Sequence, residues 1–252
     1  MASPTVTGGA SGAASARPAV DVDALTFTYP DGTHALRGVT ARLERGEKVA
    51  LIGPNGAGKS TFMLHLNGIN VPQSGRVTVA GMSVDDRNAR HVRALVGLVF
   101  QDPDDQLFSP TVREDVAFGP LHMGLPRAEV EARVQRALAS VGLSGFEEKA
   151  PYHLSIGQRK RAALATVLSM DPEILVLDEP SAGLDPRGRR ELINLLRELP
   201  HTMLVSTHDM RLVADVFPRT LIMDGGRVVA DGPTAKLLTD RALLEQHGLE
   251  LP

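Results

Sequence analysis

The chain has 252 residues, a formal net charge of −3 and no cysteine. This length allows one large core or two subdomains, and the lack of cysteine excludes a disulfide frame and any thiolate metal site, which fits a cytosolic protein. The small net charge provides no general basic field for nucleic acid, and apolar runs such as Ala162–Met170 fall short of the roughly 18 residues of a membrane span, so membrane association must run through a partner or a surface.

Residues 1–19 read as a disordered tail: small, polar and glycine-rich, with too little apolar area to order themselves. They show no early lysine or arginine and no leucine-rich core, so they do not read as a secretory signal. Val20–Tyr29 alternates like an edge strand, and Pro30-Asp31-Gly32 is a turn. Lys48–Gly53 is a short apolar strand, and the helical spacing that starts at Thr61 stops at Gly68. Further strands are expected at Leu95–Phe100, Ile174–Leu177, Met203–Ser206, Thr220–Met223 and Arg227–Ala230. Helices are expected at Arg127–Val141, Gln158–Ser169 and Pro186–Leu199, the first carrying a Glu129/Arg133 pair of the favoured sense. Strands alternating with helices predict an α/β sheet rich in parallel strands. Residues 104–167 offer helices and loops only, which predicts a helical subdomain inserted into that sheet.

Between the Lys48 strand and the Thr61 helix lies Gly53-Pro54-Asn55-Gly56-Ala57-Gly58-Lys59-Ser60, which matches G-x-x-x-x-G-K-[ST]. Glycines let backbone N–H groups turn toward phosphate oxygens, and the helix N-terminus adds partial positive charge. Lys59 would reach the β- and γ-phosphates and the Ser60 hydroxyl would ligate Mg²⁺, so the pattern points to a nucleoside triphosphate. Ile174-Leu-Val-Leu-Asp178-Glu179 is an apolar strand ending in two carboxylates, where ligands sit in open α/β sheets. Asp178 is placed to hold Mg²⁺ through its water shell, and Glu179 is the candidate general base. Leu154-Ser155-Ile156-Gly157-Gln158 precedes Arg159-Lys160-Arg161 and marks a second helix N-terminus able to meet an anion.

With these groups in this order, residues 20–245 resemble the ATP-binding-cassette (ABC) ATPase family. The resemblance implies a P-loop core with a parallel-rich sheet, an antiparallel β subdomain and the helical insertion at about 104–167, followed by a short tail at 246–252. It implies that Tyr29 stacks on adenine and that Gly53–Thr61, Thr61 included, is the Walker A loop. Gln101 becomes the Q-loop glutamine, contacting Mg²⁺ and the attacking water. Leu154–Gln158 resembles the signature, with Ser155, Gly157 and Gln158 retained and Ile156 standing where glycine is usual. Ile174–Glu179 resembles Walker B, Ser181–Asp185 the D-loop with Asp185, and His208 the switch histidine that contacts the γ-phosphate. In this family two cassettes, identical or different, pair head to tail around ATP.

A narrower resemblance is carried by Phe100-Gln101-Asp-Pro-Asp104-Asp105-Gln-Leu-Phe-Ser-Pro-Thr-Val-Arg-Glu-Asp-Val-Ala-Phe-Gly-Pro120, with Gly226–Pro233 and Gly248–Pro252. It is similar to energy-coupling-factor importer ATPases for cobalt, nickel or vitamins. It implies a peripheral subunit on the cytoplasmic face of the cell membrane. Its partners would be a substrate-binding membrane subunit and a transmembrane scaffold whose arginines meet Asp104 and Asp105. Two alternatives are a soluble ABC ATPase acting on nucleic acid or ribosomes, and a nucleotide-gated binding protein with little hydrolysis. The first usually carries coiled-coil insertions or tandem cassettes, which this chain does not show; Glu179 and His208 speak against the second.

Overall fold

The computed structural model describes residues 17–250; the expected tail lies outside them except for Arg17, Pro18 and Ala19. Ala19 is buried and donates its N–H to the Leu43 carbonyl, so packing begins just before the expected boundary.

Two sheets organise the described residues. The first is four-stranded and antiparallel, with β1 (Val20–Thr28), β2 (His34–Leu43), β4 (Ser74–Val79) and β5 (Met82–Ser83) in the order β2-β1-β4-β5. The second is six-stranded, ordered β10-β9-β3-β8-β7-β6. Its members are β3 (Lys48–Ile52), β6 (Val96–Val99), β7 (Ile174–Asp178), β8 (Thr202–Ser206), β9 (Arg219–Asp224) and β10 (Arg227–Pro233). The pairings β9-β3-β8-β7-β6 are parallel, and β10 joins β9 antiparallel. Strand β1 is therefore interior rather than an edge, because β2 and β4 pair with its two sides.

The nearly continuous apolar runs of β3, β6, β7 and β8 follow from burial on both faces. Alternate residues feed two cores. Val49, Leu51, Ile174 and Val176 join β1, β2 and the helix α1 (Lys59–Leu66), through Phe62, Met63 and Leu66. Ala50, Ile52, Leu175 and Leu177 instead face the second core. That core is built with α3 (Val112–His122), α4 (Arg127–Ser140), α5 (Ile156–Leu168), α6 (Pro186–Glu198) and α7 (Met210–Val216). Between Val99 and Ile174 the described chain forms helices, 3-10 turns and loops, and the Glu129–Arg133 pair closes at 2.9 Å on α4.

Several elements differ from expectation. Leu95 closes the helix α2 (Ala89–Leu95), and β6 starts only at Val96. Helix α3 contains Gly119 and Pro120, two residues that read as breakers. A Cβ on Gly119 would lie 2.5 Å from Met170 Cγ, so the glycine permits a close approach. At the C-terminus, α8 (Thr234–Leu237) and α9 (Arg241–Gln246) are followed by buried Leu249, which carries the packed unit past residue 245.

Gly97 lies in β6 directly under α5, where an added Cβ would sit 2.0 Å from Val167 Cγ1. Gly97→Ala is expected to destabilise the fold by about 1–3 kcal/mol through overpacking. Urea denaturation would show this as a lower midpoint at unchanged slope; an unmoved midpoint would mean that Val167 simply turns aside.

Candidate active site

The loop between β3 and α1 is shaped by close backbone approaches. A Cβ on Gly53 would stand 2.0 Å from the Met223 carbonyl oxygen, and one on Gly58 2.6 Å from that of Ala35. Gly58, at φ 99°, is the N-cap of α1 and offers no side-chain cap, so the first-turn N–H groups are left for a ligand. Lys59 is buried, and its Nζ donates to the Gly53 and Pro54 carbonyls at 2.6 and 3.1 Å. Burial pushes its pKa down, while Glu179 and Asp178 pull it back up. The loop thus holds a desolvated cation beside free donors, which suits a polyanion.

The open cleft around it, about 850 Å³, brings together Tyr29, the run from Asn55 to Thr61, Gln101, Asp178, Glu179 and His208. Its size and polar lining accommodate a nucleotide. Tyr29 stands at one wall with its hydroxyl 3.0 Å from Thr61 Oγ1. Behind it Phe27 packs edge-on at 5.0 Å, and buried His65 packs edge-on to Phe27 at 4.7 Å. Burial lowers the His65 pKa, opposed by its bond to the Thr61 carbonyl.

At the opposite wall the ends of β7 and β8 meet. The Ser206 hydroxyl donates to Asp178 Oδ1 and accepts from the Glu179 N–H at 3.2 Å. The Glu179 N–H also points at the Ser206 carbonyl, 3.0 Å away. Glu179 has φ 44°, a strained value for a residue with a side chain, and one that persists only where surroundings over-determine it. Its Oε2 accepts from the His208 N–H at 3.2 Å. Oε1 is buried without a hydrogen-bond partner, 3.3 Å from His208 Nε2. An orphaned carboxylate oxygen beside Lys59 and Asp178 is what a base awaiting a water proton requires.

Six of the expected residues do not line this cleft: Gly53 and Pro54, whose carbonyls are taken by Lys59, and four that lie on other helix starts. Ser155 and Gln158 form a capping box at the start of α5: Ser155 Oγ accepts from the Gln158 N–H at 3.3 Å, and Gln158 Oε1 from the Ser155 N–H at 2.9 Å. Gly157 lies in the first turn of the same helix, against Leu184. Asp185 caps α6, accepting from the Gly188 N–H at 2.7 Å.

Other site residues escaped sequence reading. Ser206 ends an apolar strand, a signal that could have been taken up. Arg189 and Asp209 pair across the cleft wall, joining α6 to the N-cap of α7. Lys160, read only as part of a basic helix, donates to the backbone carbonyls of both Gln101 and Glu179. Asp104, expected to be open to a partner, faces Arg159 of its own chain at 3.5 Å.

A phosphate loop at the C-terminal ends of parallel strands, flanked by an antiparallel sheet and a helical insertion, defines an ATP-binding cassette. The family model described as ABC transporter matches residues 36–182. A putative ABC transporter ATP-binding protein of Streptomyces avermitilis is 59% identical, covering 93% of this chain and 90% of that protein. The energy-coupling factor transporter ATP-binding protein EcfA of Methanothermobacter thermautotrophicus is 49% identical, covering 92% and 76%. Among solved structures, CbiO1 from Clostridium perfringens, part of the ABC transporter complex CbiONQ, superposes with a TM-score of 0.80 at 40% identity, covering 93% and 96%. A dimeric ATP-binding cassette in a post-hydrolysis state with ADP and Pi gives 0.76 at 28%, covering 85% and 98%. The chain belongs to the ABC transporter family: it is an ATP-binding subunit, an ATPase of a class that works as dimers.

If Tyr29 is the adenine platform, Tyr29→Ala should weaken ATP binding by roughly 1–3 kcal/mol, the scale of one base–aromatic stack. Tyr29→Phe keeps the ring and loses only the Thr61 bond, so it should bind nearly as well as wild type by fluorescence titration. Equal losses in both variants would assign the contribution to the hydroxyl instead.

Proposed function

We propose that this chain hydrolyses ATP to power an energy-coupling-factor importer for cobalt, nickel or a vitamin. The observation that carries the hydrolytic part is the Glu179 carboxylate, held at the cleft with one oxygen unpartnered. In this reading Lys59 and the N–H groups of Asn55–Thr61 bind the phosphates, and Tyr29 holds the base. The hydroxyl of Ser60, the carboxylate of Asp178 and the Gln101 amide are hard oxygen donors in one cleft, a set that suits Mg²⁺. Mg²⁺ would neutralise charge on the phosphate oxygens. Glu179 takes a proton from the attacking water, and His208, beside both Glu179 and Lys59, orients that water near the terminal phosphate.

Ser155, Gly157, Gln158 and Asp185 act on a second copy or a second cassette. They lie off the cleft of their own chain, so they can meet nucleotide only across a dimer. ATP then belongs to the interface, and its hydrolysis removes contacts and opens the pair.

The importer assignment is supported by the likeness to EcfA and CbiO1 and by the surface that follows the Q-loop. There Phe108 and Phe118 pack edge-on at 5.1 Å yet remain exposed, with exposed Leu121 nearby on α3. Exposed aromatics in such a cluster favour a docking partner. Asp105 is the acidic residue of the adjoining turn that has no ion pair among the described residues, as Asp104 already faces Arg159. Here we place the arginine-bearing scaffold, with the substrate-binding membrane subunit beyond it. No described helix is long and apolar enough to cross a membrane, consistent with peripheral attachment at the cytoplasmic face.

Glu179→Gln should retain ATP binding and lower turnover by about 10²–10⁴, read by phosphate release; near-normal turnover would remove Glu179 from the base role. Asp105→Lys should leave the ATP affinity of the purified subunit unchanged and release the membrane subunits during detergent purification, because facing cations repel. Full retention of those subunits would reduce Asp105 to a solvated turn residue.

A further inference from the structure

The three consecutive basic residues at the start of α5 have three different destinations. Arg159 faces Asp104 at 3.5 Å, and Arg161 reaches the Val141 carbonyl at 3.3 Å and Glu191 at 3.6 Å. Lys160 reaches the strand ends at the cleft: its Nζ donates to the Gln101 carbonyl at 3.0 Å and to the Glu179 carbonyl at 3.1 Å. The ammonium is partly buried. Desolvation lowers its pKa, against the attraction of Glu179, Asp102 and Asp178.

Those carbonyls matter because of where they sit. Glu179 has its strained φ of 44°, and the peptide before its Cα is held through the N–H by the Ser206 carbonyl. Lys160 holds the peptide after it, through the Glu179 carbonyl. The two grips together fix the direction in which the Glu179 side chain leaves the strand end. Gln101 is the other residue gripped, and it lines the same cleft. Lys160 itself stands five residues after Ser155 on one helix, about 7.5 Å along its axis at the ordinary rise.

We propose that Lys160 is a positioning residue: one ammonium ties the helix carrying Ser155 and Gly157 to the backbones of Gln101 and Glu179. A shift of that helix, when its N-terminus engages nucleotide held by another cassette, is thereby felt at the Glu179 carboxylate of its own site. The inference rests on Glu179 being the general base, and it adds a physical link between the two halves of a composite site.

The test compares Lys160→Met, which removes the donors at similar volume, with Lys160→Arg, which keeps a cation and donors. Lys160→Met should lower single-turnover hydrolysis by about tenfold to a hundredfold, the scale of a misplaced reacting group, with the ATP dissociation constant within about twofold of wild type. Lys160→Arg should recover most of the rate. In a Glu179→Gln background, adding Lys160→Met should cost nothing further, because the positioned group is already gone. Hydrolysis by Lys160→Met within about twofold of wild type, or a further loss of the same size in the double variant, would overturn the proposal. So would a parallel loss of ATP binding, which marks a general structural role. If Lys160→Met does not fold, Lys160→Gln takes its place with the same expectations. Normal turnover in Glu179→Gln would instead bring down the general-base reading, so the two failures are distinct.

Discussion

The site depends on one register: Leu51 of β3 lies opposite Ser206 of β8, and Ser206 lies opposite Asp178 of β7. Three parallel strands therefore end at one level, and everything chemical hangs from those ends. The phosphate loop leaves β3, the two carboxylates leave β7, and His208 follows β8. Ser206 is the pin, fully buried, with its hydroxyl bonded to Asp178 and to the Glu179 N–H. A one-residue slip would turn Ser206 to the other face and swap the two cores, since alternate residues of β3 and β7 feed opposite sides. The cores thus enforce the register, and the register builds the site.

That arrangement also explains why the two candidate anion-binding helix termini have different fates. At α1 the N-cap is Gly58 and the N–H groups stay free at the cleft. At α5 a capping box satisfies the Ser155 terminus locally while its first turn stays exposed or half-exposed and away from the phosphate loop. Exposed Ile156 lies there beside Gln101, Asp105 and Lys160. One terminus is a pocket, the other a surface. A surface of this kind gains a ligand only when another molecule brings it, as the proposed pairing of two cassettes would.

Much of the candidate site could be read from residues 48–60 and 174–179 because their chemistry is local. Glycine, lysine and hydroxyl at fixed offsets between a strand and a helix leave few other structures. The antiparallel sheet was harder, since β1 pairs with β4 across some fifty residues of chain, and Gly38 and Gly75, both at positive φ, interrupt the neighbouring patterns. Helix α3 was hidden by Gly119 and Pro120, where the glycine answers to Met170 rather than to the helix. Lys160 was illegible for the same kind of reason: its partners lie 59 and 19 residues away, and only the packing of α5 against β6 selects it from its basic neighbours. Local chemistry reads well from sequence; contacts set by tertiary packing do not.

The central claim is that hydrolysis needs the phosphate loop of one cassette and the Ser155 terminus of another. Mixing two inactive variants tests it directly: Lys59→Ala, which spoils the loop, and Ser155→Arg, which spoils the opposing terminus. In a mixed pair one site carries both lesions and the other carries none. A composite site predicts that ATPase activity, absent from each variant alone, returns on mixing and rises with the fraction of mixed pairs. Activity that stays absent in mixed pairs verified by cross-linking would contradict it.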